Sequence, residues 1–340
     1  MIWSVRIVSS LLVPVLFGVA LGNAESTSEG EAALQFDARG QFKIVQFTDL
    51  HWHNDDPRDA PTGRLMAEVL DAEAPDLVLL TGDVIAGRAC SDPAAAWHEA
   101  VAPIVERGLP WAAVFGNHDD EGSLTREELL TVQQGIPGCL TEHGPEELSG
   151  VGNYVLPIHD AASGEIGALL YCLDSGGYAD ETIGGYAWVA QDQIVWYRET
   201  ARSLAPGYGR APLPALMYLH IPLPEYSEVW NTRVCYGHRY EAVCCPRVNS
   251  GLFVALYEAG DVLGVFAGHD HVNDYEGTLH GIRLCYGRAG GYSTYGREGF
   301  PRGARVIALR QGERTFRTWL RLAGGQRADT QPLHDPETEE

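Results

Sequence analysis

The chain has 340 residues, 45% of them hydrophobic, and a formal net charge of −22 at pH 7. The length suits one large α/β domain or two small ones, and the hydrophobic fraction excludes a globally disordered protein. The negative charge disfavours nucleic acid and anionic membranes as partners, because both require a positive surface. A phosphorylated substrate remains compatible with this charge, since bound metal ions can reverse the electric field at one site.

The first 24 residues have the pattern of a secretory signal peptide. Arg6 supplies a positive charge, and residues 7–21 form an apolar run interrupted by Pro14. Gly22 and Ala24 then place small residues at the two positions that matter for cleavage. An uncleaved signal anchor is the alternative, although the run is short for a transmembrane helix. Because no other long apolar run occurs, we expect a soluble mature protein without membrane contact. It would be secreted or carried through the secretory pathway, for example to a vacuole.

Apolar runs and helical periodicity predict one α/β domain over residues 34–325. Strands are predicted at 43–47, 76–80 and 111–115, and helices lie between them at 62–74 and 93–107. This β-α-β-α-β order implies a parallel sheet with right-handed crossovers.

The second half of the domain continues in the same way. Its apolar runs predict strands at 168–173, 215–219 and 262–267, and helices at 190–204 and 250–259. The glycine-rich segment 281–322 alternates between apolar and polar residues, which predicts antiparallel strands. Residues 326–340 are polar and acidic, so we predict a disordered tail.

Seven cysteines leave disulfide formation open. An oxidising compartment would permit disulfides, and the odd number leaves at least one thiol without a partner in the chain. Cys235 could pair with Cys244 or Cys245. Cys172 and Cys285 lie in apolar strand-like runs, so we expect them in the core.

Five predicted strands are followed by polar residues of a few types. In open α/β sheets ligands gather at the carboxyl ends of the strands, so these side chains are expected to share one crevice. They are Asp49 and His51, then Asp83, then Asn117, His118 and Asp119, then His220, and finally His269 and His271.

These residue types offer imidazole, carboxylate and amide donors but no thiolate, a combination that divalent metal ions accept. There are more donors than one tetrahedral ion needs, which favours two ions. Two ions about 3.5–4 Å apart require a bridging carboxylate, and such a pair suits in-line displacement at phosphorus. Gly82, Gly116 and Gly268 precede three of the motifs and are expected to permit sharp turns.

Each motif alone is weak, because aspartate and asparagine beside glycine commonly form turns and a single histidine is commonly a core or surface residue. Their order, and the position of each at a strand end, favours the metal site. The remaining histidines lack this context, and His53 is the doubtful one because it lies close to the first motif.

The motifs resemble the signature of the metallophosphoesterase (calcineurin-like) superfamily: Asp-x-His, Gly-Asp, Gly-Asn-His-Asp/Glu, His and Gly-His-x-His, in order over residues 43–271. Segments at 107–111, 173–176, 220–225 and 248–251 resemble a purple-acid-phosphatase-like branch of plants and fungi. The resemblance implies a four-layer α/β/β/α sandwich of two mixed β-sheets with a dinuclear metal centre.

The resemblance also implies a role for each residue. Asp49, His51 and His271 would hold one metal ion, Asn117, His220 and His269 the other, and Asp83 would bridge both. His118 would donate a proton to the leaving group or a hydrogen bond to phosphate, and Asp119 would orient His118. The nucleophile would be a metal-bound hydroxide.

One position departs from true purple acid phosphatases, which carry a tyrosine three residues after the bridging aspartate. Ala86 stands there, and His51 occurs where those enzymes have no histidine. The tyrosinate that colours those enzymes is therefore missing, and manganese, zinc or ferrous iron become as plausible as ferric iron.

Three functions stay open: hydrolysis of small phosphomonoesters, a phosphodiesterase or pyrophosphatase acting on nucleotides or lipid head groups, and a non-catalytic scaffold. The loops that would select the substrate are predicted at 90–92, 176–185, 225–246 and 289–295. Their aromatic residues either stack on a substrate ring or pack within the protein: Tyr178, Tyr226, Trp230, Tyr292 and Tyr295. The oligomeric state is left open.

Overall fold

A computed structural model describes residues 33–207 and 211–337. The predicted signal peptide at residues 1–24 lies outside this part of the chain. Among the described residues, no helix is both long and apolar enough to span a bilayer.

Helices alternate with strands in the first half of the domain, and strands dominate its end. In chain order the elements are β1 (Gln41–Phe47), α1 (Asp59–Glu73), β2 (Leu77–Thr81), α2 (Pro93–Val105), β3 (Trp111–Val114), α3 (Arg126–Gln134), β4 (Tyr154–His159), β5 (Ile166–Cys172), α4 (Gln191–Ser203), β6 (Ala215–Tyr218), α5 (Glu225–Thr232), β7 (Cys235–Tyr236), α6 (Leu252–Ala259), β8 (Val262–Ala267), β9 (Glu276–Leu279), β10 (Ile282–Tyr286), β11 (Gly303–Arg310), β12 (Phe316–Leu322), β13 (Arg327–Ala328) and β14 (Leu333–His334).

The strands form two mixed sheets. The first has the order β13-β12-β11-β1-β2-β3 and the second the order β14-β7-β9-β10-β8-β6-β5-β4. In the first sheet β1, β2 and β3 run parallel, and β11 is antiparallel to β1. In the second sheet β5, β6, β8 and β10 run parallel. Each sheet therefore has a parallel centre, whose strands end at one edge.

The sheets pack face to face, and helices cover both outer faces. Successive side chains in a strand point to opposite faces, so the central strands need apolar residues at every position. In β2, Leu77 and Leu79 point into the core between the sheets, where Leu216 and Phe266 of the second sheet meet them. The intervening side chains contact the helical layer, which α1, α2 and α3 form over the first sheet. An equivalent core lies under α4, α5 and α6.

The expected four-layer sandwich of two mixed sheets is confirmed, and the main predicted strands and helices occur within a few residues of their predicted bounds. Helices α3 and α5 and strands β4, β7 and β9 were not predicted. Helix α3 carried a local signal, because Thr125 and Glu128 form a capping box at its start. The antiparallel prediction for residues 281–322 holds for β11 with β12. Strand β10 is antiparallel to β9, which lies before that segment, and parallel to β8.

The prediction of a disordered tail from residue 326 was wrong for the residues up to 337. Strand β13 pairs with β12, and β14 pairs with β7. The His334 ring stacks on Trp230 with ring centroids 3.8 Å apart, and its Nε2 lies 2.7 Å from the Trp230 carbonyl oxygen. Backbone pairing and this stack stabilise a segment whose composition alone suggests disorder.

The cysteines match one expectation and contradict another. Cys172 and Cys285 are buried in the core between the sheets, as predicted. The suggested disulfide of Cys235 with Cys244 or Cys245 does not form, because all three are free thiols.

Candidate metal centre

The carboxyl ends of the parallel strands from both sheets meet at one edge of the sandwich, and the predicted ligands lie there. The loops after β1, β2 and β3 supply residues from the first sheet, and those after β6 and β8 supply residues from the second. The loops are joined directly, since the Asp49 amide donates to the Gly82 carbonyl oxygen and the Gly268 amide to that of His220. Two groups of buried donor atoms result.

The first group contains Asp49, His51, Asp83 and His271, whose donor atoms lie within 4.8 Å of one another. His51 Nε2 is 3.2 Å from His271 Nε2, which is in turn 3.3 Å from an Asp49 oxygen. Thr294 Oγ1 lies 3.0 Å from the other ring nitrogen of His271, which fixes how that ring is turned.

The second group contains Asp83, His220 and His269, and Asn117 joins it. His220 Nδ1 lies 2.8 Å from the Thr81 carbonyl oxygen, which only accepts, so Nδ1 carries a proton and Nε2 faces the group. Three further donor atoms surround Nε2 at 3.2 Å: Asp83 Oδ2, Asn117 Oδ1 and His269 Nδ1. The Asn117 side-chain amide donates to the Tyr178 hydroxyl, which turns its oxygen toward this group.

These donors fit two divalent cations. Asp83 Oδ2 and His269 Nε2 are buried and make no hydrogen bond, which is costly unless a further partner compensates. Asp83 belongs to both groups and can bridge two ions, because its Oδ2 lies 3.6 Å from His51 Nε2 and 3.2 Å from His220 Nε2. The donors are nitrogen and oxygen atoms, which divalent metal ions accept.

The charge balance of the site also favours cations. Burial lowers the pKa of His51 to about 3, and burial together with His220 lowers that of His269 to about 3, so both rings are neutral and able to bind metal. Burial opposes a charge on His220 as well, but the Asp83 carboxylate outweighs it and raises the pKa of His220 to about 9. Positive charge is therefore stabilised between the two sheets at this point.

Four of the predicted ligands adopt left-handed backbone conformations, which are uncommon outside glycine. The φ angles are 54° at Asp49, 46° at His51, 49° at Asp83 and 77° at His269. Such conformations cost about 1–3 kcal/mol each and persist only where the surrounding structure imposes them. The strain is thus concentrated at the ends of β1, β2 and β8, where the chain turns its polar side chains inward.

The glycines before the motifs serve two purposes. Gly82 has a φ of +82° and makes a true left-handed turn. Gly116 and Gly268 were expected to do the same, but their φ angles are ordinary. A Cβ atom would lie 2.1 Å from Asp83 Oδ1 at Gly116 and 1.9 Å from Thr48 Oγ1 at Gly268. Both positions therefore require glycine because of close packing.

His118 lies beside the two groups and differs from the ligands in exposure. Its side chain is 37% exposed, whereas that of His220 is fully buried. The His118 backbone amide donates to Asp83 Oδ1 at 2.8 Å, which fixes it against the shared carboxylate. Burial lowers the pKa of His118, but Asp83 and Glu121 outweigh it and raise the pKa above its usual value, which favours a ring that carries a proton.

The expectation that Asp119 orients His118 was wrong. Asp119 Oδ2 accepts from the backbone amides of Gly116 at 2.7 Å and Asp83 at 3.1 Å, and Oδ1 accepts from Ile85 at 3.0 Å. Asp119 therefore joins the loop after β2 to the loop after β3. Glu121, which the sequence did not indicate, contacts the His118 ring instead, with Oε2 2.9 Å from Nδ1.

Buried Arg126 stabilises the loop after β3 through contacts with its backbone and with two carboxylates. It donates to the Gly116 carbonyl oxygen at 2.8 Å and pairs with Asp174 and Asp120. Asp174 also accepts from the backbone amides of Val151 and Gly176. These contacts extend the rigid frame around Gly116 to the loop that carries Tyr178.

Tyrosines form the walls of the site. Tyr295 stacks on His271 with ring centroids 4.1 Å apart, and Tyr186, which the sequence did not indicate, packs edge-on against His269 at 4.3 Å. Tyr178 stacks on Tyr186. Among the other aromatic residues considered above, Tyr226 is fully buried in the core.

Neither Trp230 nor His53 belongs to the candidate centre. Trp230 packs against Tyr275 and His334. His53 pairs with Asp56 at 3.4 Å and is in neither donor group.

Comparison with known proteins places this geometry in context. The family described as Calcineurin-like phosphoesterase matches residues 42–273. The chain is 35% identical to "Probable inactive purple acid phosphatase 29" of Arabidopsis thaliana, covering 92% of the chain and 90% of that protein. It is also 35% identical to "Phosphatase DCR2" of Saccharomyces cerevisiae, covering 87% of the chain and 56% of that longer protein.

Solved structures share the fold. A dimetal phosphatase from Danio rerio superimposes with a TM-score of 0.58 at 15% identity, covering 86% of the chain and 98% of that structure. The purple acid phosphatase PPD1 from yellow lupin gives 0.52 at 13% identity, covering 84% of the chain and 52% of that structure.

Proposed function

The chain belongs to the calcineurin-like phosphoesterase family, and we propose that it hydrolyses phosphomonoesters with two divalent metal ions. The observation that carries the proposal is the pair of buried donor groups that share Asp83. The partly exposed His118 lies beside them, and its backbone amide donates to the shared carboxylate. This combination supplies both metal ligands and a group that can reach a substrate.

Each residue has a role that follows from its position. Asp49, Asp83, His51 and His271 would hold one ion, and Asp83, Asn117, His220 and His269 the other. When bound, such ions act as Lewis acids toward phosphoryl oxygens and make an activated water available near neutral pH. His118 would donate a hydrogen bond to the phosphoryl group or a proton to the leaving oxygen.

A non-catalytic scaffold is the principal alternative, and the name of the Arabidopsis relative describes that protein as probably inactive. A scaffold has no need of a complete set of ligands. Here every position of the metal motifs carries a donor, and the donors converge. Ala86 replaces the tyrosine ligand of true purple acid phosphatases, but neither donor group depends on that tyrosine. We therefore favour catalysis.

The substrate is proposed to be small and phosphorylated. A cavity of about 670 Å³ adjoins the centre and is lined by Asn117, Glu121 and Tyr178, which is sufficient for a leaving group of moderate size. The acidic chain disfavours nucleic acid as a partner. Manganese, zinc or ferrous iron suit the donors, and the predicted signal peptide at residues 1–24 leads us to propose a secreted or vacuolar location.

Replacement of His118 tests the proposal. The His118→Ala variant should keep its metal ions and lose activity toward phenyl phosphate by about 10²–10⁴-fold, the range for loss of a general acid. The His53→Ala variant is the matched control, because His53 lies near the first motif but in neither donor group.

The assay combines metal analysis with turnover of monoesters, diesters and pyrophosphates in the presence of manganese, zinc or ferrous iron. Bound metal without turnover of any ester would overturn the proposal in favour of the scaffold. Faster turnover of diesters or pyrophosphates would assign the site to the phosphodiesterase or pyrophosphatase class instead.

A further inference from the structure

The His118 ring has a carboxylate partner outside the two donor groups. Glu121 Oε2 lies 2.9 Å from His118 Nδ1, three residues further along the chain. An ionised carboxylate only accepts hydrogen bonds, so Nδ1 must carry the proton in this contact. The contact fixes the tautomer and the rotation of the ring, and it leaves Nε2 as the nitrogen available to a substrate.

Glu121 is itself held in place by Tyr178. The Tyr178 hydroxyl donates to Glu121 Oε1 at 3.1 Å and accepts from Asn117 Nδ2 at 3.0 Å. One hydroxyl can serve both contacts, because it has one proton to donate and lone pairs to accept. The chain of contacts therefore runs from His118 through Glu121 and Tyr178 to Asn117, whose oxygen faces His220.

The loop that carries Tyr178 is held in place by contacts between Tyr178 and Tyr186. Tyr178 and Tyr186 form an antiparallel β-bridge and their rings stack, while Tyr186 packs against His269 of the second donor group. Tyr178 is nevertheless 53% exposed, so packing alone does not explain its position. The cavity beside the centre begins at Asn117, Glu121 and Tyr178.

We propose that Glu121 is the positioning residue of His118, and that Tyr178 couples this positioning to the orientation of Asn117. The inference rests on the proposed function, because it assigns His118 the role of proton donor to the leaving group. In this role Glu121 acts through the His118 ring and not on the reacting atoms. Asp119, the adjacent carboxylate, is excluded from this role because both of its oxygens bind backbone amides.

The Glu121→Gln variant tests the first half of the proposal. A misplaced proton donor matters for a poor leaving group and hardly at all for a good one. We expect kcat to fall about 10–100-fold with phenyl phosphate and less than about 3-fold with 2,4-dinitrophenyl phosphate, with KM and metal content unchanged. The Glu121→Asp variant, which keeps the carboxylate, should recover part of the loss.

Two outcomes would overturn this half of the proposal. An equal loss with both esters indicates a merely structural role for Glu121, and no loss with either shows that His118 needs no such partner. The His118→Asn variant separates this failure from failure of the proposed function. If His118→Asn is slow with phenyl phosphate while Glu121→Gln is not, the positioning role alone fails. If His118→Asn is as fast as the unmodified protein, the proton-donor role itself fails.

The Tyr178→Phe variant tests the second half without any measurement of activity. Loss of the hydroxyl frees the Asn117 amide to turn, so one of two manganese ions should bind about 10–100-fold more weakly in a calorimetric titration of the metal-free protein. The Tyr257→Phe variant is the control, because Tyr257 is 61% exposed on α6 and, among residues 33–207 and 211–337, its ring contacts the ring of His280 alone. Unchanged affinity for both ions in Tyr178→Phe would overturn the coupling to Asn117.

Discussion

Replacement of Asp119 by Asn is expected to destabilise the fold and to leave the behaviour of His118 intact. Asp119 accepts three backbone hydrogen bonds, from Gly116, Asp83 and Ile85, and it is 1% exposed. An amide of the same size has one oxygen in place of two. It can keep the two bonds made by Oδ2, but its NH₂ group then faces the Ile85 amide, which is a donor.

The size of the effect follows from these contacts. A hydrogen bond to a charged group contributes about 1.5–3 kcal/mol, and a neutral acceptor gives roughly half. One bond is lost and two are weakened, while the neutral amide avoids part of the cost of burying a charge. Burial and the Asp83 carboxylate raise the pKa of Asp119 to about 6, because both make the charged form of this carboxylate less stable. We expect a net loss of about 2–4 kcal/mol in the free energy of unfolding.

Urea denaturation of the metal-free protein, followed by circular dichroism, measures this loss without a contribution from bound metal. The control is Asp120→Asn, because Asp120 is 35% exposed in its ion pair with Arg126 and should cost about 1 kcal/mol or less. The reasoning is refuted if Asp119→Asn keeps the stability of the unmodified protein. It is equally refuted if this variant shows the selective loss with phenyl phosphate that we assign to Glu121.

Two further predictions test the bridging residue and the C-terminal strands. Asp83→Asn should lose both metal ions on dialysis, because Asp83 belongs to both donor groups, and metal analysis that finds two ions retained would contradict the bridge. His334→Ala should lower the free energy of unfolding by about 1–2 kcal/mol, through loss of the stack on Trp230 and one hydrogen bond. Leu333→Ala, at a side chain that is 63% exposed, should change it by no more than about 0.5 kcal/mol in the same urea titration. Equal effects at residues 333 and 334 would indicate that the stack contributes nothing.

The convergence of the candidate ligands could be predicted from the sequence for a geometric reason. Parallel strands bring their carboxyl ends to one edge of a sheet, so a polar residue after an apolar run is located by its strand alone. Asp49, Asp83 and His220 each directly follow a strand or lie within two residues of its end, and no knowledge of loop geometry was needed to bring them together.

The contacts within the loops could not be predicted in the same way. The partner of His118 depends on how the turn from Gly116 to Glu121 folds, and two carboxylates, Asp119 and Glu121, lie within reach along the chain. Asp119 turns toward the backbone amides because the loop after β2 passes beside it. That loop lies more than 30 residues earlier in the chain, so a local pattern does not show the contact. The same limit applies to Tyr186, whose contact with His269 joins residues that are distant in sequence.

The tail shows a different limit. Residues 326–337 are polar, and composition favours disorder where too little apolar surface is buried. The two short strands there add only a few hydrogen bonds each to edges that already exist, so their order depends on the sheets they join. A pattern within the tail could not reveal the edge that receives it.

Each donor group draws ligands from both sheets, which has a consequence for how the domain unfolds. In the first donor group, His51 follows a strand of the first sheet and His271 a strand of the second, and 220 residues separate them along the chain. A bound ion would close a loop of that length in the manner of a disulfide, restricting the unfolded chain as well as joining the folded layers. Cys172, Cys235 and Cys285 are free thiols, so the metal centre, and not a disulfide between them, would cross-link the interior of this domain. Separation of the two sheets should then require release of the ions, so that unfolding and metal loss become a single event.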